Sequence, residues 1–454
     1  MRVHFIAIGG AVMHNLAIAL HKKGYLVSGS DDEIFEPSKS KLNKHGILPE
    51  YIGWNADIVD KSIDAVILGM HAHNDNPELI KAKELGLEIY SFPEYLYQQT
   101  KNKKRVVIGG SHGKTTITSM VMHVLLDNNL DFDYMVGAQL EGFDTMVRLT
   151  DASIAIFEGD EYLSSTLDLR PKFHLYKPHI AVISGIAWDH INVFPTFENY
   201  VEQFKIFIDL IEKNGSLIYY ENDDELMNII NNSRADIRKL AYTTHDYVLK
   251  NGITYLRTKT GVYALNIFGE HNIQNIGAAK HVCCELGISD TNFYKSISSF
   301  AGASKRLQLL AKNDNTNVFL DFAHSPSKLK ATTTAVKQQF ADRELVACME
   351  LHTYSSLKED FLPQYANTMK AADMAYIYFN PDTIRHKRLK EINPEQVVHA
   401  FGGKNVEVFT NSEILTQKLL QTNWENKNLL LMSSGNFSGI NFNEFAKKIV
   451  DIKC

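Results

Sequence analysis

Residues 109–116 read GGSHGKTT. The run follows RVVI (105–108) and precedes ITSMVMHVLLDN, in which Met120, Val121, Val124 and Leu125 fall on one helical side. A strand, a glycine loop and a helix in that order are the setting of a phosphate-binding loop. The usual spelling, G-x-x-x-x-G-K-[ST], would need glycine at 108, where Ile108 stands. A bare GKT tripeptide arises by chance as readily as by function, so the flanking strand and helix carry the assignment. In that reading Gly110, Ser111, His112 and Gly113 offer backbone N–H groups to phosphate oxygens, Lys114 reaches the β and γ phosphates, and Thr115 and Thr116 open the helix, with Thr115 placed to hold Mg²⁺.

Working outward, 454 residues exceed one comfortable core and predict three domains of roughly 100–200 residues each. Residues 1–101 alternate strand-like runs, RVHFIAIG (2–9), YLVSGSD (25–31), AVILGM (65–70) and EIYSF (88–92), with amphipathic stretches. This βαβ grammar predicts a Rossmann-like α/β domain that presents ligands at the carboxyl ends of parallel strands. The basic run KNKKR (101–105) reads as a linker. Residues 102–300 form a central, P-loop ATPase-like domain with strands in SIAIFEGDE (153–161), HIAVISGIAWDH (179–190) and SLIYY (216–220), and a hairpin turning at Thr260-Gly261. Residues 301–454 return to strand–helix alternation through VFLDFAH (318–324), ELVACMEL (344–351), MAYIYF (374–379), VEVF (406–409) and LLLMSSG (429–435), a second Rossmann-like α/β domain. The expected fold is therefore three α/β domains in series.

The net charge of −6 and the absence of a basic stripe with interleaved aromatics argue against nucleic-acid binding. Attraction of a phosphate-bearing substrate must come from a few local cations, helix N-termini and bound metal. Cys283, Cys284, Cys348 and Cys454 have no metal-ligand spacing, and an adjacent pair suits a disulfide framework poorly, so a reducing cytoplasm is expected. The opening MRVHFIAIGG reads as a buried strand rather than a signal peptide, and no apolar run approaches the ~20 residues a membrane span needs.

Further motifs surround the loop. EGDEY (158–162) closes the strand IAIF, and WDHINVF (188–194), FGEHNIQN (268–275) and DFAHSP (321–326) follow. Together with GSHGKTT they resemble the signatures of the Mur ligase family, ATP-dependent enzymes that build the peptide stem of bacterial cell-wall precursors. The loop alone would also fit folylpolyglutamate synthetases, but the other four segments extend the resemblance over essentially the whole chain. Gly159 replaces the alanine usual in the acidic motif, and the missing glycine at 108 is the family's own shortened loop. The resemblance implies a carboxylate–amine ligase that forms an acyl phosphate on UDP-N-acetylmuramate and passes it to an amine. RPKFHLYKP (170–178), DHINVFPTFE and MSSGNFSGI (432–440) resemble members that accept the tripeptide L-alanyl-γ-D-glutamyl-meso-diaminopimelate in peptidoglycan recycling. L-alanine, the acceptor of de novo synthesis, is the alternative.

The resemblance also assigns roles. Lys114 would neutralise the transferring phosphoryl group, and Thr115 with Glu158 would hold Mg²⁺. His190 would ligate a second Mg²⁺, with Lys205, 15 positions on, as a carbamylated bridge; carbamylation needs a partly buried, deprotonated amine. His271 and Asn275 would bracket adenine, with helix capping as the bland alternative for this segment. Arg306 would reach the γ-phosphate once the domains close, Asp321 would accept the ribose hydroxyls, and His324 would sit near the reacting groups. Gly9 and Gly10 at a helix N-terminus suit a UDP diphosphate. Ser30, Asp31, His71, Asn74 and Asn76 would line the same cleft. The protein is expected to be a monomer or weak homodimer.

Two other classes share parts of this pattern. A nucleotide-binding ATPase or regulator would keep the loop but has no use for EGDE, DH and DFAHSP in one chain. A nicotinamide dehydrogenase rests on Gly9-Gly10 alone, because AIGGAVMHN lacks the G-x-G-x-x-G spacing, with Ala7, Val12 and Asn15 where glycine is common.

Overall fold

A computed structural model describes residues 1–70, 72–138, 140, 142–188, 193–402 and 405–451. Packing divides the chain into two compact units, Met1–Thr243 with Asn275–Ile297, and Thr244–Gln274 with Ser298–Cys454.

The first unit carries two sheets. Strands β1 (Arg2–Ile6), β2 (Leu26–Ser30), β3 (Ala65–Leu68) and β4 (Ile89–Ser91) form a parallel sheet in the order β2-β1-β3-β4. Next come β5 (Lys104–Gly109), β6 (Asp133–Met135), β7 (Val147–Arg148), β8 (Ile154–Glu158), β9 (Ile180–Ile183), β10 (Ser216–Tyr220) and β11 (Arg238–Tyr242), in the order β11-β10-β9-β5-β8-β6-β7. Only the β6–β7 pair is antiparallel. The chain fills one side of β5 through β6 and β8, then crosses to β9 on the other. Strand order therefore reverses at β5, and an open α/β sheet offers its ligand crevice at the carboxyl ends flanking such a reversal. Those ends are Gly109, Glu158 and Ile183. Val106, Val107 and Ile108 are fully buried, as expected for a central parallel strand covered on both faces.

In the second unit β12 (Tyr247–Lys250), β13 (Ile253–Thr258) and β14 (Gly261–Leu265) form an antiparallel meander. Thr258 pairs with Gly261, so the turn falls on Lys259-Thr260, one residue earlier than expected. The remaining strands, β15 (Gln308–Lys312), β16 (Thr316–Asp321), β17 (Glu344–Leu351), β18 (Met374–Phe379), β19 (Val406–Phe409) and β20 (Lys427–Met432), are ordered β15-β16-β20-β17-β18-β19. All pairs are parallel except β15–β16. The grouping of 244–274 with this unit differs from the sequence partition at 300/301. No helix among the described residues is long and apolar enough to cross a membrane.

The basic run 101–105 is more than a linker. Arg105 is 1% exposed, and its guanidinium donates to the carbonyls of Thr100, Lys101 and Lys103 on one side and of Tyr176 and Lys177 on the other. Its remaining nitrogen reaches Glu212 at 3.0 Å. A buried charge is tolerated when every donor is used, and here the donors tie the start of β5 to the segment before β9. Arg105→Met should therefore destabilise the fold by about 3–5 kcal/mol, because several buried carbonyls lose their donor at once. Chemical denaturation measures this, and a loss below about 1 kcal/mol would show that water replaces the guanidinium without cost.

Candidate functional site

The loop between β5 and the helix Lys114–Asp127 lies at the strand-order reversal. Ile108 belongs to β5, where it pairs with Glu158 and Val182, so position 108 is an ordinary strand position with no need of glycine. The turn proper starts at Gly110, with φ +115°, and ends at Gly113, with φ +79°. Both values favour glycine, and space requires it too. A Cβ on Gly110 would overlap the Ser184 hydroxyl and lie 2.6 Å from its backbone N; one on Gly113 would overlap the Asn275 carboxamide. The adenine candidate Asn275 thus packs directly on the loop. Ser111 N–H donates to Gly185 O at 3.0 Å, and Ser184 Oγ donates to His112 O. Gly113 occupies the N-cap without a side-chain acceptor, leaving the first helical N–H groups to a ligand.

Lys114 Nζ lies 2.6 Å from Glu161 Oε2 and 2.9 Å from Gly110 O. Burial alone would push its ammonium down, but Glu161, Asp160 and Glu158 outweigh that and raise the pKa above the usual lysine value. Glu161 is fully buried, and its second oxygen accepts from Tyr200 Oη at 2.9 Å. With that hydroxyl proton committed, Ser111 Oγ donates to Tyr200 Oη at 2.9 Å and accepts from Ala187 N–H at 2.8 Å. Glu161 and Tyr200 are absent from the sequence-derived site. Glu161 closes the EGDE motif and could have been suspected; Tyr200 carries no local signal.

Thr115 Oγ1 donates to Glu158 Oε1 at 2.7 Å, and Gly137 N–H holds the other oxygen at 2.8 Å. A hydroxyl beside one carboxylate is a hard-oxygen donor set that fits Mg²⁺, which takes one or two protein ligands and completes its shell with phosphate and water. Among the described residues there is no group of three or more His, Cys, Asp or Glu placed to hold a metal ion. Asp160 points elsewhere, to Lys172 Nζ at 2.5 Å. His190 lies outside the described residues. Lys205 does not join the site: in the helix Phe197–Asp209 the buried face is Tyr200, Val201, Phe204, Phe207 and Ile208, and Lys205 points away. Its side chain is half exposed and pairs with Glu202 at 3.2 Å, which lacks the burial a carbamate requires.

At the first sheet, Gly10 caps the helix Ala11–Lys22 and Gly9 N–H donates to Asp31 Oδ2 at 2.6 Å. Asp31 is 1% exposed and its Oδ1 is buried without a partner among the described residues. Burial pushes its carboxyl up to about 6, with Asp32 adding to the rise and the Gly9 N–H opposing it. Ala7 has φ +68°, at a position where glycine is common in this loop. Ser30 is buried and its hydroxyl donates to Glu78, which also binds His4 at 3.1 Å and Asn55 N–H at 2.7 Å in a buried network. Asn76 caps the helix Pro77–Glu84, accepting from Glu78 and Leu79 N–H at 3.0 and 3.1 Å. Asn74 is exposed, and His71 lies outside the described residues.

In the second unit His271 packs beside Gly269, and burial drops its pKa to about 4, so it stays neutral. Asn272 binds Phe268 O at 2.8 Å within the same turn. Asp321 is buried, and its two oxygens each take one backbone N–H, from Leu307 and Ala323, at 2.6 Å. Burial raises its pKa against the pull of Arg306. The Arg306 guanidinium lies 4.8 Å over the Phe322 ring, and His324 Nδ1 contacts Phe322 O at 2.8 Å.

Known proteins match this chain along most of its length. The chain matches the profiles described as Mur ligase family, catalytic domain over residues 2–104, Mur ligase middle domain over 108–283, and Mur ligase, glutamate ligase domain over 305–435. It is 33% identical over 383 residues to the UDP-N-acetylmuramate–L-alanine ligase of Clostridium tetani, covering 81% of each chain. Among solved structures, the UDP-N-acetylmuramate–alanine ligase of Thermotoga maritima matches with TM-score 0.72 and 19% identity over 99% of this chain and 98% of that one. A murein peptide ligase from Psychrobacter arcticus matches with TM-score 0.68 and 21% identity over the full length of both. At these identities the two structures speak for the fold alone.

The Asp31 geometry makes a pH prediction. A carboxyl whose folded pKa is raised to about 6 keeps in the native state a proton that the unfolded chain loses near 4, so its contribution is fully present below about pH 4 and is lost as pH climbs through 6. The melting temperature of Asp31→Asn minus that of the parent should rise steadily between pH 4 and 7. Parallel curves for the two proteins would refute the burial argument.

Proposed function

The chain belongs to the Mur ligase family of ATP-dependent amide ligases, and from that premise we propose that it activates the carboxylate of UDP-N-acetylmuramate and joins it to the amino group of L-alanine. The observation that carries the reading is the Gly110–Thr116 loop with Lys114 at its helix start and Thr115 bonded to Glu158. The tripeptide expected from sequence gives way as first choice, because the curated relatives at about a third identity are L-alanine ligases. It stays as the second acceptor on one local feature. The 433–440 loop is gripped by Glu350, which takes the Ser433 hydroxyl and Phe437 N–H at 2.9 Å, and by Tyr378 and Asn380 on Ser438 at 2.7 and 3.0 Å.

In the proposed reaction the loop amides and the helix N-terminus hold the phosphates, and Lys114 offsets charge on the transferring phosphoryl group. Thr115 and Glu158 would hold Mg²⁺, which when bound neutralises the β and γ oxygens. The muramyl carboxylate attacks the γ-phosphorus, ADP leaves, and the amine then displaces phosphate from the acyl phosphate. Gly9, Gly10 and Asp31 bind the UDP part, Asn275 and His271 serve adenine, and Arg306 and His324 serve the reacting groups. Residues 1–101, 102–300 and 301–454 act as three functional domains of a cytoplasmic monomer or weak homodimer.

The acceptor is tested by offering ATP, UDP-N-acetylmuramate and either L-alanine or the tripeptide, and weighing the product. L-alanine addition is expected; tripeptide addition alone would reverse the choice. Equal phosphate release without sugar or amine would remove ligation altogether. Lys114→Ala should cost on the order of 10³ in turnover, as for comparable phosphoryl-transfer cations, and a loss of tenfold or less would strip Lys114 of its role.

A further inference from the structure

Tyr200 has no part in the reaction scheme above, yet it sits in an unbroken polar chain that ends on the phosphate-loop lysine. The order is Ala187 N–H, Ser111 Oγ, Tyr200 Oη, Glu161, Lys114 Nζ, with successive separations of 2.8, 2.9, 2.9 and 2.6 Å. Ser111, Tyr200 and Glu161 are at most 4% exposed, so water does not compete for these bonds. Four segments meet in the chain: the phosphate loop, the end of the acidic motif after β8, the segment after β9 and the helix Phe197–Asp209. We propose that Tyr200 is a positioning residue for phosphoryl transfer, its hydroxyl fixing the Glu161 carboxylate and the Ser111 loop so that Lys114 is aimed before nucleotide arrives. The inference rests on the reading of this loop as the ATP site.

The physical case is geometric. A free carboxylate samples many rotamers, and a lysine has four flexible bonds, so an ammonium held by one mobile acid would be poorly placed. Here Glu161 is bound on both oxygens by groups whose own positions are set. The Tyr200 ring packs between Phe194 and Phe204, at centroid distances of 5.5 and 5.2 Å, and Gly110 O takes a second bond from the ammonium. Small displacements of a positioned group cost rate far more than they cost ground-state binding.

Tyr200→Phe keeps both ring contacts and removes only the hydroxyl. It should lower kcat at least tenfold while the KM for ATP and the Kd for ADP stay within threefold of the parent. Glu161→Gln should lower kcat at least as much. The double variant should be no slower than Glu161→Gln alone, because both changes break one chain and such losses do not add. Ser111→Thr, which retains the hydroxyl, should stay closer to the parent than Ser111→Ala. An unchanged kcat in Tyr200→Phe, whatever its melting temperature, would overturn the proposal, as would multiplicative losses in the double variant or a raised KM with kcat intact. ADP binding to the parent keeps the two readings apart: failure of the parent to bind ADP at the loop sinks the ATP-site reading, whereas normal binding with an indifferent Tyr200→Phe sinks only this inference.

Discussion

A lysine ammonium can remain charged out of water only if acids surround it, and Lys114 has three, Glu158, Asp160 and Glu161, on the strand end beside its own. That demand fixes much else. The acids must follow a strand adjacent to β5, and β8 is that strand, with Ile108 paired to Glu158 across the two. The other side of β5 must leave room for the turn, and Ser184 after β9 comes so close that only glycine fits at 110. The reversal of strand order at β5 is what lets both neighbours deliver loops to the same crevice.

The division of labour within EGDE follows from the same geometry. Glu158, still in the strand, reaches across to Thr115, while Glu161 takes Lys114 and Asp160 takes Lys172. Each acid makes its hydrogen bond to a separate cation or hydroxyl, while the charges of all three act on Lys114. Gly159 permits this: a Cβ there would lie 2.9 Å from Val107 and 3.1 Å from Ile108 O, so the chain leaves β8 in close contact with the central strand. An alanine at this point would need the neighbouring β5 side chain to give way.

What the sequence made legible was whatever depends on neighbours along the chain. Strands 216–220, 344–351, 374–379 and 406–409 fall where the largely apolar runs placed them, and the phosphate loop falls between its strand and helix. Short β6 and β7 and the edge strands β11, β12 and β15 lack a strong apolar run and were not foreseen. Side-chain destinations were harder still. Lys205 is one position beyond buried Phe204, and the helical phase that carries it outward depends on which face of the helix meets the sheet. Ser30 is drawn to Glu78, 48 residues away, and Tyr200 meets Glu161 across 39. No local pattern announces a partner at that separation.

Asp321 shows how a motif residue can matter through the backbone it holds. Its carboxylate bridges the N–H groups of Leu307 and Ala323, so it joins the segment before β15 to the turn after β16. Leu307 has φ +50° and Lys305 φ +54°, left-handed values that a side chain adopts reluctantly and that a buried, doubly bonded carboxylate helps to hold. Arg306 lies between those two residues, with its guanidinium over Phe322, and His324 follows Ala323 directly. Two candidate groups for the reacting centre therefore depend on one buried acid. Loss of Asp321 would release both from their places, an effect that in activity alone would look like loss of a ligand contact.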